Sequence, residues 1–153
     1  MPPSTAPTSP PTTSFDSFGL HASLLRALQT KAYAAPTPIQ QSAIPCALQG
    51  QDVLASAQTG SGKTAAYALP ALQHLANQTL LSPRRCLVLV LVPTRELAMQ
   101  VGEVFKQLGH HLPQAVQVTQ LFGGVSINPQ MMRLRGGSDI VVATPGRLLD
   151  LVD

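Results

Sequence analysis

The sequence predicts an α/β domain, with a mainly parallel sheet and helices on both faces. Short apolar runs at 52–56, 86–92, 116–122 and 140–143 alternate with longer stretches whose apolar residues recur at helical spacing. The run 86–92 is apolar throughout and rich in Val and Leu, the pattern of a strand buried on both faces. A Gly-rich octet, Ala57-Gln58-Thr59-Gly60-Ser61-Gly62-Lys63-Thr64, joins the first strand to the next helix. That order, strand then turn then helix start, is the build of a phosphate cradle.

Taken in order, residues 1–14 are Pro, Ser and Thr with almost nothing to bury, and are expected to form a disordered tail. The domain then runs over 15–153. Leu20, Leu24, Leu25 and Leu28 predict a short amphipathic helix up to about Thr30. Thr37 followed by Pro38 reads as an N-cap with proline at the first helical position. That helix carries Ile39, Ala43, Ile44, Ala47 and Leu48 on one face, with a kink expected at Pro45 and a stop at Gly50. After the strand at 52–56 and the cradle, a helix runs to about Leu75, and Pro70 is expected to bend or interrupt it. The strand at 86–92 leads through Pro93-Thr94-Arg95-Glu96 into a helix marked by Leu97, Val101, Val104, Phe105 and Leu108. The strand at 116–122 ends at Gly123-Gly124; Asn128-Pro129 starts a short helix that Gly136-Gly137 stops. After the strand at 140–143, Thr144-Pro145 caps a last helix containing Leu148 and Leu149. In open sheets of this kind ligands bind at the loops that follow strand C-terminal ends.

Composition narrows the partners. At 153 residues and 44% hydrophobic content the chain supports one domain with a core. Its net charge of +3 permits a nucleic-acid partner without requiring one. Cys46 and Cys86 each sit in an apolar segment and read as buried free thiols of a reducing compartment. His21, His74, His110 and His111 have no metal-ligand spacing with them, so no zinc site is expected. There is no basic-then-apolar leader pattern, and 86–92 is far too short to cross a bilayer, which predicts a cytoplasmic protein.

The cradle carries the chemistry. Gly60 and Gly62 let the backbone curl and turn successive N–H groups toward an anion. Lys63 would reach β- and γ-phosphates, and the Thr64 hydroxyl would bind their Mg²⁺. Ala57 stands where the strict motif has Gly. Residues 60–65 also fit a relaxed dinucleotide fingerprint, but that reading needs an acidic ribose ligand after the next strand. Arg84 and Arg85 precede that strand and Pro93-Thr94-Arg95 follows it, so the Lys-Thr pair favours a nucleoside triphosphate. Upstream, Gln40 offers a donor and an acceptor in one plane, able to pair with adenine N6 and N7, with Tyr33 near enough in sequence to stack on the base. A capped helix with a solvent-facing Gln is the plainer alternative.

Together these segments resemble the DEAD-box RNA helicases. Tyr33-x-x-Pro36-Thr37-Pro38-Ile39-Gln40 is similar to their Q motif, and Ala57 to Thr64 to motif I, where Ala in first place is usual. Pro93-Thr94-Arg95-Glu96-Leu97-Ala98 resembles motif Ia, Gly123-Gly124 the GG element and Thr144-Pro145-Gly146-Arg147 motif Ib, all in family order. The stretch Phe122 to Met132 is similar to bacterial RhlE-type members. One departure is Ala32, where the Q motif opens with Gly. The resemblance implies a RecA-like P-loop domain. It implies that Gln40 reads adenine, Tyr33 stacks on it and Phe18 is the isolated upstream aromatic. Thr59, Gly60, Ser61, Gly62, Lys63 and Thr64 would hold ATP and its Mg²⁺. Pro93, Thr94, Arg95, Gly123, Gly124, Thr144, Pro145, Gly146 and Arg147 would hold single-stranded RNA through its backbone.

The family also needs an Asp-Glu-Ala-Asp motif, a Ser-Ala-Thr motif and a second RecA-like domain that brings arginines, and none is in the sequence. Leu148-Leu149-Asp150 ends in Asp but belongs to a capped helix. The expectation is an N-terminal part of an ATP-dependent RNA helicase that would unwind short duplexes when whole. Alone it would bind without hydrolysing. In the family fold the absent strands flank the cradle strand, so residues 53–55 are expected to lack an in-sheet neighbour and stability to be weak. The alternatives are a non-catalytic RNA- or partner-binding truncation and, less well supported, another P-loop enzyme such as a kinase.

Overall fold

The computed structural model describes residues 13–152; the predicted tail falls, apart from Thr13 and Ser14, outside them. The sheet has three strands, β1 (Val88–Leu91), β2 (Val118–Leu121) and β3 (Ile140–Ala143), all parallel and in the order β1-β3-β2. The described residues also form six helices: α1 (Ala22–Thr30), α2 (Pro38–Leu48), α3 (Lys63–Ala76), α4 (Arg95–Leu108), α5 (Asn128–Leu134) and α6 (Pro145–Val152). A 3-10 turn, Phe15–Phe18, precedes them, with the Ser14 side chain accepting from the Asp16 amide.

The order follows from handedness. A parallel crossover is right-handed, so a chain that steps outward across the sheet and then returns must place its two helices on opposite faces. The step from β1 to β2 runs through α4, whose Ala98, Val101, Phe105 and Leu108 join α1 and α3 in the main core. On that face the core also takes Val88, Val90, Ile140 and Val142. The return from β2 to β3 runs through α5. Its Leu134, with Leu148 and Leu151 of α6, packs on Leu121, Val141 and Ala143 of the other face. Central β3 is therefore buried at all four positions, which is why its sequence is apolar without alternation.

Four expectations change. Residues 52–56 form no strand: Val53 and Leu54 are exposed, and the segment from 51 to 58 is irregular. A strand requires a neighbour to accept its backbone bonds, and no described residue pairs with this one. β1 is buried on one face only. Leu87, Leu89 and Leu91 are 45%, 50% and 54% exposed, because α5 and α6 cover the second face only over β2 and β3. Pro70 does not interrupt α3; burial of Leu69, Leu72 and Leu75 outweighs the roughly 3 kcal/mol cost of an interior proline. The thiols are not buried, Cys46 being half-buried and Cys86 exposed.

The end of α1 explains the Ala32 departure. Its closing bonds, Tyr33 N–H to the Leu28 carbonyl and Ala32 N–H to the Gln29 carbonyl (both 3.0 Å), form a Schellman motif, and Ala32 takes the left-handed conformation with φ 58°. That is a glycine position occupied by alanine. Ala32→Gly is expected to raise stability by about 0.5–1 kcal/mol, the left-handed strain relieved less the entropy glycine adds to the unfolded chain. Urea denaturation of the two chains checks it, and an unchanged or lower midpoint would refute it.

Candidate nucleotide and nucleic-acid site

The cradle is a turn at residues 59–62 leading into α3, with Gly62 at its N-cap in the left-handed region (φ 88°) and no side chain capping the helix. The first amides of α3 thus have no intrahelical acceptor and point toward the turn. Lys63 is exposed, and its Nζ folds back to donate to the Ala57 carbonyl across the loop. The Ser61 hydroxyl is buried without a hydrogen-bond partner. A backbone anion nest, an ammonium, an orphaned hydroxyl and the Thr64 hydroxyl form a donor set that fits a polyphosphate and its magnesium ion.

Gln40 meets this turn directly. It is only 1% exposed; its Oε1 accepts from the Thr37 amide (3.0 Å) and its Nε2 donates to the Gly62 carbonyl (3.1 Å). A Cβ on Gly62 would displace that Nε2, and the φ of 88° is one that side chains rarely adopt, so together they favour glycine there. Gln40 is thus not solvent-facing, but its bond from the Thr37 amide caps α2, so the capped-helix half of the plainer alternative stands. Its amide ties the N-terminus of α2 to the cradle. Tyr33 and Phe18 both lie edge-on to Phe15, with ring centroids 6.3 and 6.1 Å away. Tyr33 is 36% exposed. A separate cavity of about 270 Å³ borders Lys63 but is lined by Ile39, Ala43, Ala66 and Tyr67, not by Gln40 or Tyr33. There burial pushes the Tyr67 phenol above its ordinary range, an effect a hydrogen bond with Thr64 opposes.

The second group of predicted residues lies at the C-terminal ends of the strands. Thr94 follows β1 and caps α4, its Oγ1 accepting from the Leu97 amide at 3.2 Å. Pro93 and Arg95 beside it are exposed, and Arg95 makes a loose ion pair with Glu96 at 3.4 Å. Gly124, after β2, has φ 80°, and an Arg95 Nη1 lies 3.4 Å from where its Cβ would be. From the other side Arg147 Nη2 donates to the Val125 carbonyl at 2.9 Å. The Arg147 side chain is 9% exposed. Its Nε stands 3.5 Å from Asp150 without hydrogen-bond geometry, so Nε and Nη1 remain unpaired donors. Thr144, after β3, is half-buried, and Pro145 and Gly146 open α6 at the surface. Three loops distant in sequence thus converge, with two guanidinium groups flanking residues 124–125. A Cβ on Gly123 would meet nothing within 4 Å, so its bareness answers no packing demand inside the described chain.

One residue of this region escaped motif reading. Gln130, on α5, is 4% exposed and bonds both backbone groups of Phe122, Oε1 accepting from the amide (3.1 Å) and Nε2 donating to the carbonyl (3.0 Å). The signal available in the sequence was a lone polar residue on the inward side of a short helix.

The chain is 50% identical over 138 residues to the ATP-dependent RNA helicase DeaD of Escherichia coli, covering 90% of this chain and 21% of that protein. It is 48% identical over 139 residues to the ATP-dependent rRNA helicase rrp3 of Sclerotinia sclerotiorum, covering 91% of this chain and 28% of that one. The chain therefore spans between a fifth and a third of these relatives' length. A crystal structure of a hypothetical ATP-dependent RNA helicase from Sulfolobus tokodaii superposes with a TM-score of 0.75 at 39% identity, over 87% of this chain and 36% of that one. These matches establish the family and not the RhlE-type subgroup. With the DEAD/DEAH box helicase profile matching residues 37–153, the chain belongs to the DEAD/DEAH box helicase family.

Proposed function

We propose that this chain is the part of an ATP-dependent RNA helicase that holds ATP·Mg²⁺ at residues 57–64 and single-stranded RNA at the C-terminal edge of the sheet. The observation that carries the reading is the convergence of Arg95, Arg147 and the bare Gly123-Gly124 loop on one edge. Lys63 and the α3 amides would bind the phosphates, Thr64 would hold the metal, and Gln40 and Tyr33 would select and stack the adenine. Bound Mg²⁺ would neutralise phosphate charge. On the RNA edge, Thr94 and Thr144 sit at helix starts, where amides can grip phosphates, and the arginines add charge. Such contacts ignore base identity, so binding is sequence-independent and weakens with salt.

Hydrolysis and duplex opening belong to the whole protein, in which a second RecA-like domain would close over ATP and RNA. The 153 residues contain no Asp-Glu-Ala-Asp, and on its own this chain binds without turnover. Among the described residues no helix is long and apolar enough to cross a membrane, and a cytoplasmic setting suits the activity.

Gly123→Ala tests the RNA edge cleanly. The new methyl has open space and the residue has no positive φ, so folding stability should stay within about 0.5 kcal/mol. Affinity for a fluorescent single-stranded oligoribonucleotide should fall about tenfold, the value of roughly one backbone contact. Equal anisotropy titrations for the two chains would remove residue 123 from the RNA surface.

A further inference from the structure

We propose that Gln130 is the positioning residue of the Gly123-Gly124 loop: its carboxamide acts as one more strand residue, fixing Phe122 and so the direction in which the two glycines leave β2. This inference rests on the RNA-edge reading above and adds a residue to it.

β2 ends at Leu121, and the sheet ladder ends with the bond from the Thr144 amide to the Leu121 carbonyl, 2.9 Å. The next residue, Phe122, has both its amide and its carbonyl taken by the Gln130 side chain at 3.1 and 3.0 Å. A planar group that donates and accepts in one plane is the side-chain counterpart of a backbone peptide. Gly123 and Gly124 have no side chains, and among the described residues the next hydrogen bond to the loop is at Val125, from Arg147. The two anchors bracket the glycines. A merely packed position so deeply buried would favour an apolar residue, since any unmet amide group costs stability. Gln130 satisfies its own amide only by holding Phe122.

The test compares the 153-residue chain with Gln130→Met, which keeps the length and loses both bonds, and Gln130→Glu, which keeps an acceptor for the Phe122 amide. Amide hydrogen exchange of Phe122, Gly123 and Gly124, anisotropy with a single-stranded oligoribonucleotide, and calorimetry with an ATP analogue are read for each. Gln130→Met should speed exchange at Phe122 about tenfold or more and weaken RNA three- to tenfold, with nucleotide affinity unchanged within twofold. Gln130→Glu should restore protection at Phe122. Wild-type exchange in Gln130→Met overturns the proposal, and so does faster exchange with unaltered RNA affinity. A parallel loss of nucleotide affinity would mark general unfolding and overturn it too. If the parent chain binds no RNA, the RNA-edge reading fails, and the loop exchange in the Met and Glu variants still decides whether Gln130 positions it.

Discussion

Lys63→Ala is expected to weaken ATP·Mg²⁺ binding by about ten- to a hundredfold while leaving the melting temperature of the chain unchanged. A hydrogen bond to a charged group contributes roughly 1.5–3 kcal/mol net, and the ammonium is the one full positive charge of the cradle turn. The fold should not notice. Lys63 is exposed, and the Ala57 carbonyl that it contacts can turn to water once the side chain is gone. The same experiment on Gln40 would be ambiguous, because its 1% exposed amide also satisfies the Thr37 amide and the Gly62 carbonyl. Truncating it strands two backbone groups and confounds binding with stability. Lys63→Arg should recover little, since a planar fork on a different stem does not reproduce a compact ammonium between phosphates. Calorimetric titration with ATP·Mg²⁺ beside a thermal melt separates the two effects. Equal affinity in Lys63→Ala would show that the amides of α3 do the binding unaided.

Motif and capping chemistry made most of this legible in sequence. β3 was readable to the residue because the central strand is apolar throughout, and α2 because Thr37-Pro38 fixes where it starts. What the sequence did not show was which neighbours exist. Residues 52–56 have the composition of a strand, yet a strand is a property of a pair, and Val53 and Leu54 stay exposed without one. For the same reason 86–92 looked doubly buried, while among the described residues one face of β1 stays exposed. The site divides the same way. Lys63, Arg95 and the glycines announce themselves by type and spacing, but Gln130 and Asp139 act through partners 8 and 22 to 55 positions away. Only the fold brings those pairs together.

The opposite end of the sheet offers the largest effect on stability. Asp139 is 1% exposed just before β3, where its Oδ2 accepts from the Gln117 amide at 2.7 Å and pairs with the Arg84 guanidinium. Its own carbonyl takes the Leu87 and Val88 amides at 2.9 and 3.1 Å. One residue thus gathers the entries to all three strands. The two partners are not equivalent. Removing Asp139 frees an arginine that is 29% exposed and can turn toward water, losing a charged hydrogen bond and leaving one amide to be rehydrated. Removing Arg84 leaves a carboxylate that cannot reach water and keeps only the Gln117 amide, so Arg84→Ala should cost about 3 kcal/mol against about 2 for Asp139→Ala. Chemical denaturation of both variants gives the comparison, and a smaller loss for Arg84→Ala would mean that the buried carboxylate is rehydrated by local opening. RNA and ATP affinity of the surviving folded chains should stay within twofold of the parent, because the network sits at the strand N-terminal ends and both candidate sites draw on loops elsewhere. A stability loss without a binding loss would place fold and function at opposite ends of the same three strands.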